Sequence, residues 1–348
     1  MTLFTHEAFD DHEFVHHIHD ADTGLRAIVA VHNATLGPGL GGLRMFNYAS
    51  DDEALTDVLR LSRGMTYKNA LAGIPYGGGK AVILGDPASD KSPALMYALG
   101  RALNKLNGHY ITAEDVGTTV ADMDYIRKET PFARGTSHGV GDPSPFTAKG
   151  VRHAIHAAVK SKLGIDNVEG VKISIQGLGN VGYALAQMLH IDGATLIVTD
   201  VNAVRLAQAK NEMNATTVKP DEIYDVKCDV FAPCAMGASI NNQTIGRLKA
   251  LIVCGAANNQ LALSKHGQDL HNKGILYVPD FVANAGGVIN IALEDSATSD
   301  VIMARVDEIR GTVDEILERA TDGNLPLDVA EALAMDRIHQ YRAETRAA

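Results

Sequence analysis

Two lysines in the first quarter of the chain are the residues best suited to acid–base chemistry. Lys68 lies in the segment LSRGMTYKNA, and Lys80 follows the glycine-rich segment GIPYGGG, twelve residues further on. A desolvated lysine beside a second cation loses part of its preference for protonation and can act as a general base. We therefore expect Lys80, held in a tight glycine loop, to be the base and Lys68 to hold a carboxylate. The alternative is a pair of surface lysines.

The glycine-rich segment before Lys80 differs from the phosphate-binding loop of ATP-binding proteins. Ile74 stands where that motif has its first glycine, and Ala81 stands where it has the Ser or Thr that holds magnesium. The sequence therefore predicts no ATP site here.

A carboxylate follows in the segment ITAEDVGTT, where Asp115 comes after a predicted strand and before a helix predicted over 119–129. A carboxylate at the end of a strand can carry protons to and from a substrate. An equally good interpretation makes Asp115 the N-cap of the following helix. The residues alone do not separate the two roles.

A glycine-rich turn in the second half predicts a dinucleotide site. The turn follows the strand VKISIQ and opens the helix YALAQMLH. Such a turn places pyrophosphate against the free N–H groups of the helix, and its glycines allow close approach. The alternative is an ordinary strand–helix connection. The turn consists of Gly177, Leu178, Gly179, Asn180, Val181 and Gly182.

Asp200 ends the next predicted strand, 23 residues after Gly177. A carboxylate at this position accepts hydrogen bonds from a ribose diol and repels a 2′-phosphate, so it favours NAD over NADP. Arg205 follows closely and would weaken that preference. A solvated acid at a strand end is the simpler alternative.

The order of elements that must position these residues predicts two α/β domains, since 348 residues exceed what one core usually serves. We expect a substrate-binding and catalytic domain over 1–140 and a Rossmann-type, doubly wound NAD-binding domain over 141–326, with a cleft between them. A last helix, about 327–348, is expected to return to the first domain.

Local patterns predict the flanking elements. Residues 13–19 and 25–32 read as a hairpin, 51–72 as a long helix, and Thr147 as the N-cap of a helix from 148 to about 162. The Gly-, Ser- and Pro-rich segment at 135–147 suits a linker between the domains.

Composition excludes several classes of protein. The formal net charge of -11 offers no electrostatic footprint for nucleic acid or an anionic membrane, and no apolar run reaches the length of a membrane span. Three cysteines without a CxxC pair predict a reducing cytoplasm. The amino terminus is acidic and unlike a signal peptide. A histidine cluster there suggests a metal site only weakly, so none is predicted; its members are His6, His12, His16, His17 and His19.

Six motifs in order along the chain resemble the glutamate/leucine/phenylalanine/valine dehydrogenases, and most closely the leucine dehydrogenases among them. The motifs are GLGGLRM (39–45), LSRGMTYKNALAGIPYGGGKAVI (61–83), YITAEDVGTT (110–119), GLGNVG (177–182), GAANNQL (255–261) and PDFVANAGGVIN (279–290).

The resemblance implies reversible, NAD-dependent oxidative deamination of an L-amino acid to a 2-oxo acid, with release of ammonium and NADH. It implies that Lys68 binds the substrate carboxylate, that Lys80 activates water, and that Asp115 carries protons to and from the nitrogen. Asn259 would help to hold substrate, with Asn258 as a rival for that role. The residues implied near the nicotinamide are Thr147 and the stretch from Asn284 to Gly287.

The resemblance also places the substrate side chain against an apolar wall, which disfavours glutamate because its second carboxylate would be buried without a partner. Branched side chains in the wall favour leucine, valine and isoleucine, while phenylalanine or tryptophan remains an alternative substrate. A homo-oligomer, an octamer or a dimer, is implied. A non-enzymatic NAD-binding regulator is the remote alternative. The implied wall and its loop comprise Leu40, Gly41, Ala113, Val288 and Ile291.

Overall fold

The computed structural model describes residues 3–139, 141–321 and 323–347, which form two compact units. The first unit comprises the chain up to residue 141 together with 291–298 and the residues from 334 onward. The second comprises 142–290 and 299–333.

Each unit contains a β-sheet with helices. The strands are β1 (Phe14–Asp20), β2 (Leu25–Asn33), β3 (Gly39–Phe46), β4 (Gly77–Leu84), β5 (Tyr110–Glu114), β6 (Lys172–Gln176), β7 (Thr195–Thr199), β8 (Thr216–Thr217), β9 (Val230–Pro233), β10 (Ile252–Val253) and β11 (Leu276–Tyr277). The α-helices are α1 (Asp51–Leu71), α2 (Pro93–Lys105), α3 (Val120–Arg127), α4 (Ser144–Leu163), α5 (Asn180–Ile191), α6 (Ala203–Met213), α7 (Lys265–Asn272), α8 (Asp280–Ala283), α9 (Gly286–Leu293), α10 (Ser299–Asp307), α11 (Ile309–Arg319) and α12 (Pro326–Ala347). None of these helices is long and apolar enough to cross a membrane.

The sheet of the first unit has the order β1-β2-β4-β3-β5. The predicted hairpin is confirmed, since β1 pairs antiparallel with β2. Strands β4, β3 and β5 run parallel, which brings their carboxyl ends to one edge of the sheet. The helix predicted over 51–72 is confirmed as α1, which Ser50 caps by accepting a hydrogen bond from the Glu53 N–H.

The glycine loop predicted before Lys80 is wrong, because Gly77, Gly78 and Gly79 lie inside strand β4. Close packing explains these glycines. A Cβ at Gly78 would lie 2.0 Å from the Thr66 hydroxyl oxygen on α1. The helix can therefore approach the strand only because the side chain is absent. Lys80 consequently projects from a rigid strand.

The sheet of the second unit is parallel throughout, with the order β11-β10-β9-β6-β7-β8. Renumbered within this unit, the order is 6-5-4-1-2-3, which is the doubly wound arrangement of dinucleotide-binding domains. The prediction of a Rossmann-type domain is confirmed.

Two helices at the ends of this unit begin where prolines stand. Helix α4 begins at Ser144, after Pro143, so the prediction that Thr147 caps it is wrong. Thr147 lies in the first turn instead, and its hydroxyl donates to the Pro143 carbonyl at 3.1 Å. The last helix, α12, begins at Pro326, and within its first-unit part Arg337 donates to the Leu71 carbonyl at 2.9 Å.

We predict that Gly78→Ala destabilises the protein by roughly 1–3 kcal/mol, because the added methyl group overpacks the contact between α1 and β4. Gly64→Ala is the matched control, since a Cβ at Gly64 on α1 meets no heavy atom of the described residues within 4 Å, the backbone of its own helix aside. It should raise stability by up to ~1 kcal/mol through helix propensity. Urea denaturation measures both changes. Equal midpoints for the two variants would contradict this account of the β4 glycines.

Candidate active site

The parallel pairing of β3 with β4 and β5 brings Lys80 and Asp115 together. The Lys80 Nζ donates to the Asp115 Oδ2 at 2.7 Å, and the two side chains are only 7% and 18% exposed. Gly42 on β3 makes room for this contact, because a Cβ there would lie 2.8 Å from the Asp115 Cβ and 3.2 Å from the Lys80 Nζ. The structure thus pairs two of the residues that the sequence singles out.

Asp115 does not cap the following helix. Thr119 caps α3, in a capping box with Asp122. The Asp115 backbone N–H instead donates to the Thr118 hydroxyl, which in turn donates to the Leu43 carbonyl on β3. The backbone of Asp115 is therefore fixed to the neighbouring strand, and its carboxylate is left for the contact with Lys80.

A second cation that the sequence analysis missed shares this carboxylate. The Arg44 Nε donates to the same Asp115 Oδ2 at 3.2 Å. The Arg44 Nη1 donates to the two Asp57 oxygens on α1 at 3.0 and 3.3 Å. The Tyr48 hydroxyl donates to the Asp57 Oδ2 at 2.6 Å. A partly buried network therefore runs from Lys80 to Tyr48.

The charges of this network determine the ionisation of its members. Burial alone would raise the pKa of Asp115, but the charges of Lys80 and Arg44 outweigh it and lower the pKa to about 2. Burial and the Asp57 carboxylate raise the pKa of Tyr48 well above its usual value. At neutral pH, Asp115 is therefore an anion and Tyr48 a neutral donor.

Lys68 lies near the end of α1, where a neighbouring residue fixes the helix to the sheet. The buried Asn69 Nδ2 donates to the Leu40 carbonyl at 3.1 Å and to the Gly77 carbonyl at 2.7 Å. Lys68 itself is half-buried. The structure thus places the two predicted lysines on adjacent packed elements of the first unit.

The implied wall residues are distributed over both units. In the first, Leu40 on β3 and Ala113 on β5 are buried, and Gly41 lies so close to β4 that a Cβ would be 1.8 Å from the Gly79 carbonyl oxygen. Val288 and Ile291 are half-buried on α9, Val288 in the second unit and Ile291 in the first. That these residues line one pocket stays a prediction.

The glycine turn of the second unit has the geometry that a dinucleotide requires. Gly177 has a φ of +98°, and a Cβ there would lie 2.7 Å from the Ala235 Cβ. A Cβ at Gly182 would lie 2.0 Å from the Gly177 carbonyl oxygen. At Gly179 a Cβ would meet no atom within 4 Å among the described residues, its two chain neighbours aside, so this side of the turn is open. Helix α5 begins at Asn180 without a side-chain cap.

Asp200 contacts this turn directly. Its Oδ2 accepts a hydrogen bond from the Leu178 N–H at 2.5 Å, and its Oδ1 accepts one from the Asn202 N–H at 2.7 Å. The carboxylate therefore supports the turn through its hydrogen bond to Leu178, and its role toward a ribose stays a prediction. The Arg205 guanidinium lies over the Tyr183 ring, 4.9 Å from its centroid.

A third group of the second unit gathers polar residues of the GAANNQL and NAGG motifs. The Asn284 Nδ2 donates to the Asn258 Oδ1 at 2.7 Å, while the buried Asn284 Oδ1 has no hydrogen-bond partner among the residues that the structure describes. Asn259 adopts a positive φ of 52°, and its carbonyl accepts from the Ala238 N–H. A Cβ at Gly287 would lie 2.7 Å from the Thr147 hydroxyl oxygen, so those two residues are neighbours.

The amino-terminal histidines do not converge. His6 and His12 are buried, and His12 contacts the Leu59 carbonyl, whereas His16, His17 and His19 are exposed on β1. Within the part of the chain that the structure describes, no group of three potential ligands can hold a metal ion.

Comparison with protein-family models assigns both units. Residues 12–132 match the model described as Glu/Leu/Phe/Val dehydrogenase, dimerisation domain. Residues 139–204 and 198–326 match the model described as glutamate/leucine/phenylalanine/valine dehydrogenase. The chain belongs to this dehydrogenase family.

Three relatives within the family span nearly the whole chain. A leucine dehydrogenase from Geobacillus stearothermophilus is 49% identical over 99% of this chain and 94% of its own. A phenylalanine dehydrogenase from Lysinibacillus sphaericus is 47% identical over 89% of this chain and 84% of its own. The crystal structure of L-tryptophan dehydrogenase from Nostoc punctiforme matches with a TM-score of 0.87 and 42% identity, covering 96% of this chain and 97% of that one.

We predict that Asp115→Asn lowers the free energy of unfolding by about 2 kcal/mol near pH 6, and that the deficit vanishes as the pH falls toward 2. The pKa of Asp115 is depressed in the folded state, so its ionisation stabilises the fold above about pH 4 and stops doing so at lower pH. Urea denaturation between pH 3 and 7 measures the difference.

Asp166→Asn is the control for this experiment, since the Asp166 side chain is 83% exposed. An exposed carboxylate contributes little, so this variant should match the parent protein at every pH. A deficit for Asp115→Asn that does not change with pH would show that its ion pairs are not the source of the stability.

Proposed function

We propose that this protein catalyses the reversible, NAD-dependent oxidative deamination of a branched-chain L-amino acid to its 2-oxo acid, releasing ammonium and NADH. The observation that carries the proposal is the buried Lys80–Asp115 pair, 2.7 Å apart, in a chain that shares about half of its residues with leucine dehydrogenases.

The two lysines of the first unit have different roles, one in binding substrate and one in proton transfer. Lys68 holds the substrate carboxylate with its charge. Lys80, when neutral, accepts a proton from the water that adds to the iminium carbon of the oxidised substrate. Because its Nζ lies 2.7 Å from Asp115, the proton can pass between the two groups. The bound NAD+ supplies the hydride acceptor for the substrate Cα.

Asp115 serves the substrate nitrogen. With Lys80 and Arg44 both charged, the carboxylate is fully ionised and binds a proton weakly. Once Lys80 is neutral, one of the two cations that stabilise the carboxylate is gone, so Asp115 can accept a proton from the substrate ammonium. When Lys80 has taken the proton of the attacking water it is charged again, and Asp115 returns its proton to the departing nitrogen, which leaves as ammonia.

The residues of the second unit suit NAD. The open side of Gly179 and the uncapped start of α5 would take the pyrophosphate, and Asp200 would accept hydrogen bonds from the ribose diol. The buried Asn284 Oδ1, which has no hydrogen-bond partner within the described part of the chain, offers an acceptor to a bound group. We place Thr147, Asn180, Val181 and Asn258 beside the cofactor, and Asn259 beside the substrate.

The apolar character of the implied wall supports leucine, valine or isoleucine as substrate. Leu40, Ala113, Val288 and Ile291 carry no charge, so a glutamate side chain would lack a partner there. Phenylalanine or tryptophan is the second candidate, supported by the 47% identity to a phenylalanine dehydrogenase and the structural match to L-tryptophan dehydrogenase.

A substrate panel tests the proposed function. We expect NADH formation, followed at 340 nm, with leucine, valine and isoleucine, and kcat/KM values above those for phenylalanine, tryptophan and glutamate. One methylene of fit is worth about 1–3 kcal/mol, so the preference among apolar substrates should be about 10- to 200-fold. Higher values for aromatic substrates would favour the second candidate. NADH binding without turnover of any amino acid would favour a regulatory protein.

Cofactor preference tests the role of Asp200. We expect NAD+ to be preferred over NADP+, and Asp200→Asn to reduce the ratio of the two kcat/KM values by about tenfold, since a hydrogen bond to a charged group is worth about 1.5–3 kcal/mol. Asparagine keeps an acceptor for the turn but removes the charge that repels a 2′-phosphate. Asp229→Asn is the control. Asp229 directly precedes β9 in the same unit, and its carboxylate also accepts a hydrogen bond from a backbone N–H, that of Lys172. An unchanged ratio for Asp200→Asn would remove Asp200 from cofactor selection.

Assembly and location complete the proposal. The matched family model for residues 12–132 is described as a dimerisation domain, which supports a homo-oligomer. The three cysteines are free, which supports function in the reducing cytoplasm.

A further inference from the structure

Arg44 is the one charged residue of strand β3, whose sequence is GLGGLRMF. Side chains alternate along a strand, so Arg44 shares a face with Gly42, whereas Leu43 and Met45 point into the hydrophobic core. The Gly42 side of the strand is the side where Lys80 and Asp115 meet. Arg44 therefore faces the acid–base pair and not the core.

The guanidinium of Arg44 is held at two positions. Its Nε contacts Asp115, and its Nη1 contacts Asp57, which also accepts from the Tyr48 hydroxyl. The Arg44 side chain is 19% exposed, and the Asp57 side chain is 27% exposed. A planar, rigid donor fixed to α1 in this way has few orientations left, so it also restricts the carboxylate that it contacts.

Charge constancy distinguishes Arg44 from Lys80. Both cations contact the same oxygen, Asp115 Oδ2. Lys80 must release its proton to act as a base, whereas a guanidinium stays protonated throughout the working pH range. When Lys80 is neutral, Arg44 is the cation that continues to hold the carboxylate.

We propose that Arg44 is a positioning residue that keeps the Asp115 carboxylate in place while Lys80 changes its protonation state. This inference rests on the amino-acid dehydrogenase function proposed above. Arg44 then affects kcat by holding the Asp115 carboxylate and does not itself contact the substrate.

The neighbours of Asp115 allow this effect to be read from the pH dependence. Burial raises the pKa of Tyr48 and of Tyr110, so both remain neutral in the working range. Loss of the Arg44 charge therefore leaves Lys80 as the principal cation on the carboxylate, and the pKa of Asp115 rises. The charged and titratable groups that face Asp115, directly or through Arg44, are Lys80, Arg44, Tyr48, Tyr110 and Asp57.

The test compares Arg44→Gln and Arg44→Lys with the parent enzyme in leucine deamination. Arg44→Gln should lower kcat by about tenfold or more with little change in the KM for leucine. Its acid limb of kcat/KM should move up by about one pH unit, because loss of the Arg44 charge makes the coupled Lys80–Asp115 pair easier to protonate. Arg44→Lys should lower kcat but leave the acid limb near its original pH, since it keeps the charge but cannot make both contacts.

Arg26→Gln is the matched control. Arg26 is an arginine on a strand of the same sheet that pairs with an acid of α1, Asp51, but the two side chains are 54% and 75% exposed. This variant should keep the kcat and the pH profile of the parent. An Arg44→Gln enzyme with parental kcat, or with a uniform loss of activity at all pH values, would overturn the proposal.

A readout independent of activity separates this inference from the proposed function. A double-mutant cycle of unfolding with Arg44→Gln and Asp115→Asn should show coupling of at least about tenfold in the unfolding equilibrium constant near pH 6. Absence of coupling would overturn the Arg44 inference even in an active enzyme. Coupling in a protein that oxidises no amino acid would instead overturn the proposed function alone.

Discussion

The Asp115 Oδ2 is shared by two cations, and the chemistry proposed for the first unit depends on this contact. Lys80 and Arg44 approach the oxygen from adjacent strands, at 2.7 and 3.2 Å. Burial of a carboxylate is unfavourable unless charges compensate it. The two cations do so, and they hold the pKa of Asp115 at about 2. A carboxylate that is ionised, buried and close to a lysine is suited to exchange protons with it.

Glycines make that contact geometrically possible. Gly42 leaves the space in which Lys80 and Asp115 meet, and Gly78 lets α1 approach β4. A side chain at either position would separate elements that have to be in contact. The glycines of the second unit differ, because Gly182 allows close packing of α5 while Gly179 lies on the open side of the turn, where we propose that the cofactor binds. Close packing thus accounts for several glycines of the motifs, independently of any ligand.

Much of the fold could be predicted from local patterns. The strand–turn–helix around Gly177 could be predicted because three sequence signals follow one another in one short segment. These signals are a β-branched strand, glycines that allow a positive φ, and an apolar helix. The position of Gly78 inside a strand could not be predicted, because glycine usually indicates a turn. Only its three-dimensional contact with Thr66 explains why a glycine stands within β4. The prediction that Thr147 caps α4 was wrong because the helix begins earlier, at the prolines that precede Thr147.

The part of the site that the sequence did not reveal depends on distant partners. Arg44 was visible as a charge in an otherwise apolar and glycine-rich strand. Its partners, Asp57 and Asp115, lie 13 and 71 residues further along the chain. Periodicity does not predict such pairs, since the pairing of β3 with β5 brings Arg44 to Asp115 and the packing of α1 against β3 brings Asp57 to Arg44.

The exchange of Lys80 for alanine tests most directly the central claim that Lys80 is the base of the reaction. The account predicts that Lys80→Ala lowers kcat for leucine by ~10²–10⁴-fold, the usual contribution of general acid–base catalysis, while the Kd for NADH, measured by fluorescence titration, stays unchanged. Lys68→Ala, measured alongside, should mainly raise the KM for leucine. A Lys80→Ala enzyme with near-normal kcat would contradict the account.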